Sequence, residues 1–296
     1  MNRREAILVG AAMTGLTACA ASSNSSQLDL TFDQKAELLT DYAVNIESWY
    51  ADLDFNARFE KAARDGFSSV EFWFIDSWDR KASELAKHAK DAGVSIAQIV
   101  GDSPPLALKE TRNIFLENCK KAVENAHLLN TEIVTFTGHQ NIDGVSKAES
   151  LKIYRDHFAA AASIFEDGKV FAAIEPFNPY DHPGHFLYGS GDAVEIVRSI
   201  SSPFIKLNWD LFHMQRHEGE LIGNLKRHAD TICYVQLADA PDRAQPGTGE
   251  INYTHVLKQL RALEYRGPIG LEFWAKDKNY DQAVLDIVEL AQSLKS

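Results

Sequence analysis

The sequence predicts a single barrel of eight parallel strands and eight helices, the (β/α)8 or TIM barrel. Short apolar segments alternate with amphipathic segments eight times along the chain, which is the repeat of this fold. Several amphipathic segments stop at Gly or Asn, as the carboxyl ends of helices commonly do. No linker interrupts the pattern, so residues 41–296 are expected to form one catalytic domain.

The predicted strands have four to seven residues each and are rich in β-branched or aromatic side chains. In chain order they are Tyr42–Ile46, Ser69–Phe74, Val94–Val100, Glu132–Thr137, Val170–Glu175, Ile205–Asp210, Ile232–Gln236 and Pro268–Glu272. An open doubly wound sheet is the alternative for such an alternation. Its nucleotide-binding version has no support, because no Gly-x-Gly-x-x-Gly follows the first strand.

The predicted helices rest on apolar residues that recur every three to four positions. Two early helices are identified by their apolar faces, formed by Phe55, Phe59, Ala62 and Ala63, and by Leu85, Ala89 and Ala92. The later ones cover Thr111–Leu129, Ala148–Glu166, Ala193–Ile200, Leu221–Ala229, His255–Leu263 and Gln282–Leu294. The sequence leaves open whether Asp29–Leu39 forms a further short helix at the barrel floor.

Residues 1–18 are predicted to be an export signal. The chain opens with Arg3 and Arg4 and continues in an apolar run to Ala18, which is too short to span a membrane. The run ends in Leu16-Thr17-Ala18-Cys19, which resembles the lipobox of bacterial lipoproteins. That resemblance implies cleavage before Cys19 and a lipid anchor on it, although an ordinary signal with a chance cysteine stays open.

The paired arginines also resemble a twin-arginine signal, so Sec and twin-arginine export both remain open. Residues 19–40 are expected to form a Ser-rich tether followed by an N-terminal segment. The expected location is therefore the periplasm or cell envelope of a bacterium, with the lipid on Cys19 as the sole membrane contact.

The composition excludes several classes of protein. Hydrophobic residues make up 45% of the chain and charged residues 24%, which argues against a disordered or fibrous protein. The formal net charge of −12 repels phosphate backbones, so no nucleic-acid partner is expected. No long apolar run occurs beyond the N-terminus, as a polytopic membrane protein would need. Cys119 and Cys233 are expected to be buried free thiols.

Polar side chains end the last four predicted strands. Glu175, Asp210, Gln236 and Glu272 occupy equivalent positions, about one strand–helix unit apart. Because the carboxyl ends of barrel strands meet at one mouth, these side chains are expected to ring it. Oxygen ligands of this kind suit Mg²⁺ or Mn²⁺. A single carboxylate there is often a helix N-cap, but four equivalent positions are hard to explain as caps.

From about Tyr42 to Trp274 the chain resembles the hydroxypyruvate isomerase family of xylose isomerase-like TIM barrels. The segments that carry the resemblance are Ile174-Glu175-Pro176-Phe177-Asn178, Asp181-His182-Pro183-Gly184, Trp209-Asp210-Leu211-Phe212-His213-Met214-Gln215, Gly247-Thr248-Gly249-Glu250 and Tyr42-Ala43-Val44-Asn45. The resemblance implies a divalent metal held by Glu175, Asp210, Gln236 and Glu272. It also implies an acid/base pair formed by Glu175 and Glu272.

The same resemblance implies that His213 and Arg243 face the substrate oxygens. Asn178 and His182 are further candidates for substrate binding, and His185 is a weaker one in the same loop. Glu71 is expected either to orient a neighbour or to be a solvated strand edge. Three tryptophans are expected to pack in the core, namely Trp73, Trp209 and Trp274. The stretch Pro246–Glu250 is either a mobile lid or a tight loop.

The implied activity is the metal-dependent interconversion of hydroxypyruvate and tartronate semialdehyde, or of a related small oxo-acid or sugar, through an enediol. Glu272 would remove the proton and Glu175 would complement it, or the reverse. The implied partner is a small-molecule substrate, and a homo-oligomer is possible. The export signal leaves two alternatives open, an epimerase or keto-glycoside lyase on the same barrel and a non-catalytic sugar- or acid-binding lipoprotein. A metal-cluster endonuclease is disfavoured by the net charge.

Overall fold

Residues 30–295 are described by the computed structural model, and within them eight parallel strands close into a barrel. The strands are β1 (Tyr42–Asn45), β2 (Ser69–Glu71), β3 (Ser95–Val100), β4 (Ile133–Phe136), β5 (Phe171–Ile174), β6 (Ile205–Asp210), β7 (Ile232–Leu237) and β8 (Ile269–Leu271). Each strand pairs with the next, and β8 returns to pair with β1. The predicted (β/α)8 barrel is confirmed, and a doubly wound sheet is excluded because the sheet is closed.

The described residues also form ten α-helices. They are α1 (Phe32–Leu39), α2 (Ala57–Arg64), α3 (Ala82–Ala92), α4 (Arg112–Leu129), α5 (Lys147–Gly168), α6 (Ser190–Ile200), α7 (Leu211–His217), α8 (Leu221–His228), α9 (Tyr253–Ala262) and α10 (Tyr280–Lys295). All eight predicted helices are present. The short helix α7 was not predicted, because it follows β6 directly and leaves no loop to mark its start.

Helix α1 settles the open question about the segment before the first strand. It begins after a capping box, in which Thr31 accepts from the Gln34 backbone N–H and the Gln34 side chain accepts in return. It packs on α10, where Lys295 lies 3.1 Å from Glu37. Leu39 at its end is fully buried. Residues 1–29 lie outside the described part of the chain, so the predicted signal and the anchor Cys19 remain predictions.

Apolar packing lies between the sheet and the helices. Phe136 of β4, for example, contacts Phe115 of α4 and Phe165 of α5 edge-on, at ring distances of 5.8 Å and 5.6 Å. Cys119 is a buried free thiol as predicted, whereas Cys233 is only partly buried, since it lies near the start of β7 at the barrel floor. Within residues 30–295 no helix combines the length and apolarity that a membrane crossing requires.

The inside of the barrel, in contrast, is lined by hydrogen-bonding side chains. Polar residues from several strands point inward and are buried, namely Asn45, Glu71, Gln98, Thr135, Asn208, Tyr234 and Gln236. They donate to and accept from one another across the barrel. Because a buried polar group is costly unless it is paired, this network restricts the orientation of the side chains that lie beneath the barrel mouth.

Candidate active site

The structure brings the predicted polar side chains together at the carboxyl-terminal mouth of the barrel. Glu175 and Glu272 directly follow β5 and β8, and both are buried, with 7% and 6% exposure. Asp210 ends β6 and is fully buried. Atoms of Glu175, Asp210 and His213 lie within 4.8 Å of one another. Arg243 reaches in from the loop after β7, with Nη2 3.3 Å from Asp210 Oδ2 and 3.1 Å from Glu272 Oε2.

Asp210 is both a helix cap and a site residue. Its Oδ1 accepts a 2.8 Å hydrogen bond from the backbone N–H of Phe212 at the start of α7. Its Oδ2 faces the mouth, where it accepts from Arg243 Nη2 and lies 3.5 Å from His213 Nε2. The structure thus combines the helix-cap role and the site role at this position, because a carboxylate has two oxygens to share.

Burial raises the pKa values of the carboxylates at this mouth. It raises the pKa of Asp210 and of Glu272 to about 7, although the Arg243 guanidinium pulls both values down. The pKa of Glu175 is raised well above its ordinary value, first by burial and then by the charges of Glu272 and Asp210. Three ionised carboxylates beside one guanidinium would leave two negative charges in excess. Such a donor set fits a divalent cation that prefers oxygen.

Two aromatic rings lie close to the guanidinium of Arg243. Its guanidinium carbon lies 5.1 Å from the centre of the Phe212 ring and 5.4 Å from that of Trp274. Although Nη2 is paired with carboxylates, the buried Nε has no hydrogen-bond acceptor among the described residues. An unpaired buried donor of this kind is costly unless a ligand accepts from it.

Gln236, the fourth predicted ligand, points into the hydrogen-bond network inside the barrel. Its Nε2 donates to Glu71 Oε1 at 2.9 Å, and its Oε1 accepts from Asn208 Nδ2 at 2.6 Å. The orientation of the amide is therefore set from both sides. The role of Gln236 as a metal ligand stays a prediction.

Glu71 lies at the centre of the barrel network. Its carboxylate accepts four side-chain hydrogen bonds, from Asn45 at 3.0 Å, Gln98 at 3.2 Å, Tyr234 at 2.6 Å and Gln236 at 2.9 Å. It is fully buried, and burial raises its pKa against the opposing effect of these donors. The alternative of a solvated strand edge is therefore wrong, and the alternative that it orients a neighbour agrees with its contact to Gln236.

We expect the Glu71→Ala substitution to destabilise the fold by about 3–5 kcal/mol, because four buried donors would lose their shared acceptor. Equilibrium unfolding in urea, followed by circular dichroism, measures this loss. Glu60→Ala is the matched control, since Glu60 is exposed and pairs with Arg64 only at the surface of α2; its cost should stay below about 1 kcal/mol. Similar midpoints for the two variants would contradict the importance of the network.

The loop after β5 holds Asn178 against His213. Asn178 Nδ2 lies 2.7 Å from His213 Nδ1, and its Oδ1 accepts from the backbone N–H groups of Tyr180 and Asp181. Both residues are fully buried. Burial, reinforced by Arg243, holds the pKa of His213 well below its ordinary value, so the ring is neutral. The amide of Asn178, a predicted substrate contact, thus faces His213 and the loop backbone.

Other histidines form a wall beside His213. His182 stacks on Phe177 at a ring distance of 4.0 Å and lies 5.2 Å from the His213 ring. Burial, with Arg243 nearby, lowers the pKa of His182 to about 4. His139 is fully buried, with Nε2 2.9 Å from the Glu175 carbonyl oxygen and Nδ1 3.0 Å from His185 Nδ1. These rings are in place to shape a pocket, and His182 in particular lies next to the site.

Sequence reasoning missed the residue that holds the loop after β7. The carboxylate of Asp239 accepts from the backbone N–H groups of Ala240, Gly247, Gly249 and Ile251, at 2.9–3.0 Å. These four bonds tie the loop to the end of β7, which favours the tight-loop alternative over a mobile lid. The sequence pattern that could have indicated this role is Asp239 followed by Pro241 and Gly247, since Asp, Pro and Gly are typical of tight turns.

Two of the three tryptophans expected in the core lie at the mouth instead. Trp209 is fully buried, as predicted. Trp274, however, is 46% exposed and packs on Arg243. Trp73 is only partly buried, and its indole N–H donates to Glu272 Oε1 at 2.8 Å. The core prediction was wrong for these two because both follow a strand end, where the chain leaves the barrel wall.

A separate cavity of about 670 Å³ opens at the opposite end of the barrel. Asp41, Ser95, Thr131 and Lys169 are among its lining residues, which lie near the amino ends of the strands. None of the predicted site residues lines it. Since catalytic groups of this fold lie at the carboxyl ends of strands, the chemistry is assigned to the mouth.

Comparisons with known proteins agree with this fold. A family model described as a xylose isomerase-like TIM barrel matches residues 59–295. The chain is 29% identical to hydroxypyruvate isomerase of Escherichia coli (strain K12) over 238 residues, covering 78% of this chain and 92% of that protein. It is 30% identical to 2-oxo-tetronate isomerase of Cupriavidus necator over 241 residues, with the same two coverages.

A solved structure supports the fold. The crystal structure of AP endonuclease, family 2, from Brucella melitensis is similar with a TM-score of 0.74 at 26% identity, covering 80% of this chain and 94% of that chain.

Proposed function

The chain belongs to the xylose isomerase-like TIM-barrel family, and on this basis we propose that it interconverts hydroxypyruvate and tartronate semialdehyde, or a closely related 2-oxo acid. It is an isomerase, as its relatives named hydroxypyruvate isomerase and 2-oxo-tetronate isomerase are. The observation that carries the proposal is the convergence of Glu175, Asp210 and Glu272, all buried, on the single guanidinium of Arg243.

A divalent metal ion, Mg²⁺ or Mn²⁺, is part of the proposal. Glu175, Asp210 and Glu272 would hold it, with the amide oxygen of Gln236 as a fourth ligand. The excess of buried negative charge supports this assignment. When bound, such an ion supplies Lewis-acid stabilisation of negative charge on two adjacent substrate oxygens, worth several kcal/mol.

The glutamates are proposed to move the protons. The Glu272 carboxylate removes a proton from the hydroxyl-bearing carbon C3 of hydroxypyruvate, which gives an enediolate with its negative charge on the C2 oxygen. The C3 hydroxyl proton then passes to the C2 oxygen while protonated Glu175 delivers its proton to C2, which leaves the aldehyde at C3. Proton exchange with solvent restores both glutamates. A pKa near 7 for Glu272 suits an acid/base group that works at neutral pH. The roles of the two glutamates are reversed for the opposite direction.

The substrate is proposed to be a small carboxylate. Arg243 carries the positive charge of the site, and its buried Nε is a donor without an acceptor in the described part of the chain. A carboxylate accepts two guanidinium N–H groups side by side. A nucleic-acid substrate is disfavoured, even though one similar structure is of an endonuclease, because the formal net charge is −12.

We also propose export to the periplasm or cell envelope, with a lipid on Cys19 as the membrane contact. The support is the pattern of Arg3-Arg4, the apolar run and the lipobox-like end.

Proton exchange into solvent tests the reaction directly. We expect the purified protein with Mg²⁺ to incorporate deuterium at C3 of hydroxypyruvate in D₂O, with conversion to tartronate semialdehyde, because the proton that Glu272 removes exchanges with solvent before a proton returns to carbon. Proton NMR follows both events, and 2-oxo-tetronate and a keto-hexose are tested in parallel. Exchange of the keto-hexose alone would favour an epimerase, and no exchange above the buffer rate with any of the three would overturn the proposal.

A further inference from the structure

We infer that Asn178 is a positioning residue, which holds His213 as the tautomer that carries its proton on Nε2. His213 then offers a hydrogen-bond donor at the mouth and cannot bind the metal through Nε2. The assignment of the tautomer rests on hydrogen bonds alone. Only the identity of the acceptor, a substrate oxygen, rests on the function proposed above.

The orientation of the Asn178 amide is set by the backbone of its own loop. The backbone N–H groups of Tyr180 and Asp181 both point at Oδ1, at 2.9 Å and 3.1 Å. A flipped amide would place its NH₂ group against these two donors, which is unfavourable in a buried site. The atom that faces His213 is therefore Nδ2, which can only donate.

The tautomer of His213 follows from this contact. Because Asn178 Nδ2 donates to His213 Nδ1 at 2.7 Å, Nδ1 must hold a lone pair and not a proton. A protonated, cationic ring would bring two donors against each other at that distance. His213 is consequently neutral, and its one ring proton is on Nε2.

The Nε2–H group points into the acidic mouth. It lies 3.5 Å from Asp210 Oδ2 and 3.7 Å from Glu175 Oε1, beyond normal hydrogen-bond distance. The ring is fully buried, and Nε2 has no partner among the described residues. A buried, unpartnered donor between two proposed ligands is suited to an oxygen of the molecule bound there.

The tautomer of His213 decides whether this ring can bind a metal in the cluster of Glu175, Asp210 and His213. The spacing of the three would allow His213 to be a metal ligand. A nitrogen that carries a proton has no lone pair for a metal, so the ligand set keeps only oxygen atoms. Oxygen-only sites favour Mg²⁺ or Mn²⁺, whereas an imidazole ligand favours Zn²⁺ and its neighbours. Asn178 thus helps to select the metal without touching it.

Nitrogen-15 NMR of the full-length, metal-free protein with labelled histidine tests the tautomer without any measurement of activity. The His213 signals are assigned by their loss in His213→Gln. We expect a protonated Nε2 and an unprotonated Nδ1 in the wild type. The opposite pattern would overturn the inference and would leave the proposed isomerisation untouched.

The Asn178→Asp variant tests the cause. A carboxylate accepts from Nδ1–H, so the proton should move to Nδ1 and leave a lone pair on Nε2. We expect the ratio of Zn²⁺ to Mg²⁺ affinity, measured by calorimetry, to rise about tenfold or more. Asn224→Asp, a buried asparagine on α8 that donates to the Gly219 carbonyl oxygen, is the control and should change neither readout. An unchanged tautomer in a folded Asn178→Asp variant would refute the inference. If Asn178→Asp does not fold, the Asn178→Ser variant takes its place, and we expect it to show a mixture of the two His213 tautomers.

Discussion

Exchange of Glu272 for glutamine is expected to lower kcat by about 10²–10⁴-fold while the barrel stays folded. The glutamine amide has nearly the shape of the carboxylate and keeps an oxygen that can accept from Trp73 Nε1, which lies 2.8 Å from Glu272 Oε1. It cannot take up a proton from carbon, so the proposed transfer stops. Steady-state rates with hydroxypyruvate measure the loss, and circular dichroism shows whether the fold is kept.

Two controls separate the acid/base role of Glu272 from other causes of lost activity. Glu289→Gln changes an exposed residue of α10 to which no role at the mouth is assigned, and it should leave kcat unchanged. Because Glu272 is proposed both to hold metal and to move a proton, the metal affinity of Glu272→Gln is measured separately by calorimetry. A variant that keeps its metal and still loses turnover supports the acid/base role. Turnover within tenfold of the wild type would contradict it.

Removal of divalent metal by a chelator is expected to abolish activity, with recovery on addition of Mg²⁺ or Mn²⁺. Several kcal/mol of transition-state stabilisation would be lost, which corresponds to a decrease of about 10³-fold or more. Rates before chelation, after it and after metal return give the measurement. Full activity in the metal-free protein would contradict metal dependence and leave only the isomerase assignment.

The same metal-free protein should show a distinctive dependence of stability on pH. Burial raises the pKa of Asp210 and Glu272 to about 7, above their ordinary values of 3.8 and 4.5. Between these values the native state binds more protons than the unfolded state, so the free energy of unfolding falls as pH rises. The contribution is complete below the ordinary pKa values and is lost as pH passes about 7.

Calorimetry at two pH values tests this dependence. Added Mg²⁺ should raise Tm by several degrees at pH 8 and by much less at pH 5, because the metal must displace protons at the lower pH. Asp210→Asn removes one of the titrating groups, so its metal-free form should lose less stability between pH 5 and pH 8 than the wild type. Equal metal effects at both pH values would show that these carboxylates are not the metal-binding groups.

The order and type of the elements follow from local patterns. The strand Ile205–Asp210 was predicted with its observed bounds, because its apolar run starts after Pro203 and ends at a carboxylate. Helix α7 escaped prediction, since seven residues directly after a strand offer no periodicity and no separate cap. Asp210 performs both tasks there, as the last residue of one element and the cap of the next.

The amino-acid sequence by itself determined the eightfold alternation and the strands whose ends carry Glu175, Asp210, Gln236 and Glu272, because hydrophobic periodicity and strand position are local properties. Only the tertiary structure decided which oxygens and nitrogens remain free. Glu71 in an aromatic strand could have been an exposed edge until four donors from other strands surrounded it. The proton on His213 likewise depends on an asparagine 35 residues away, since hydrogen bonds across the barrel join residues that no sequence window contains together.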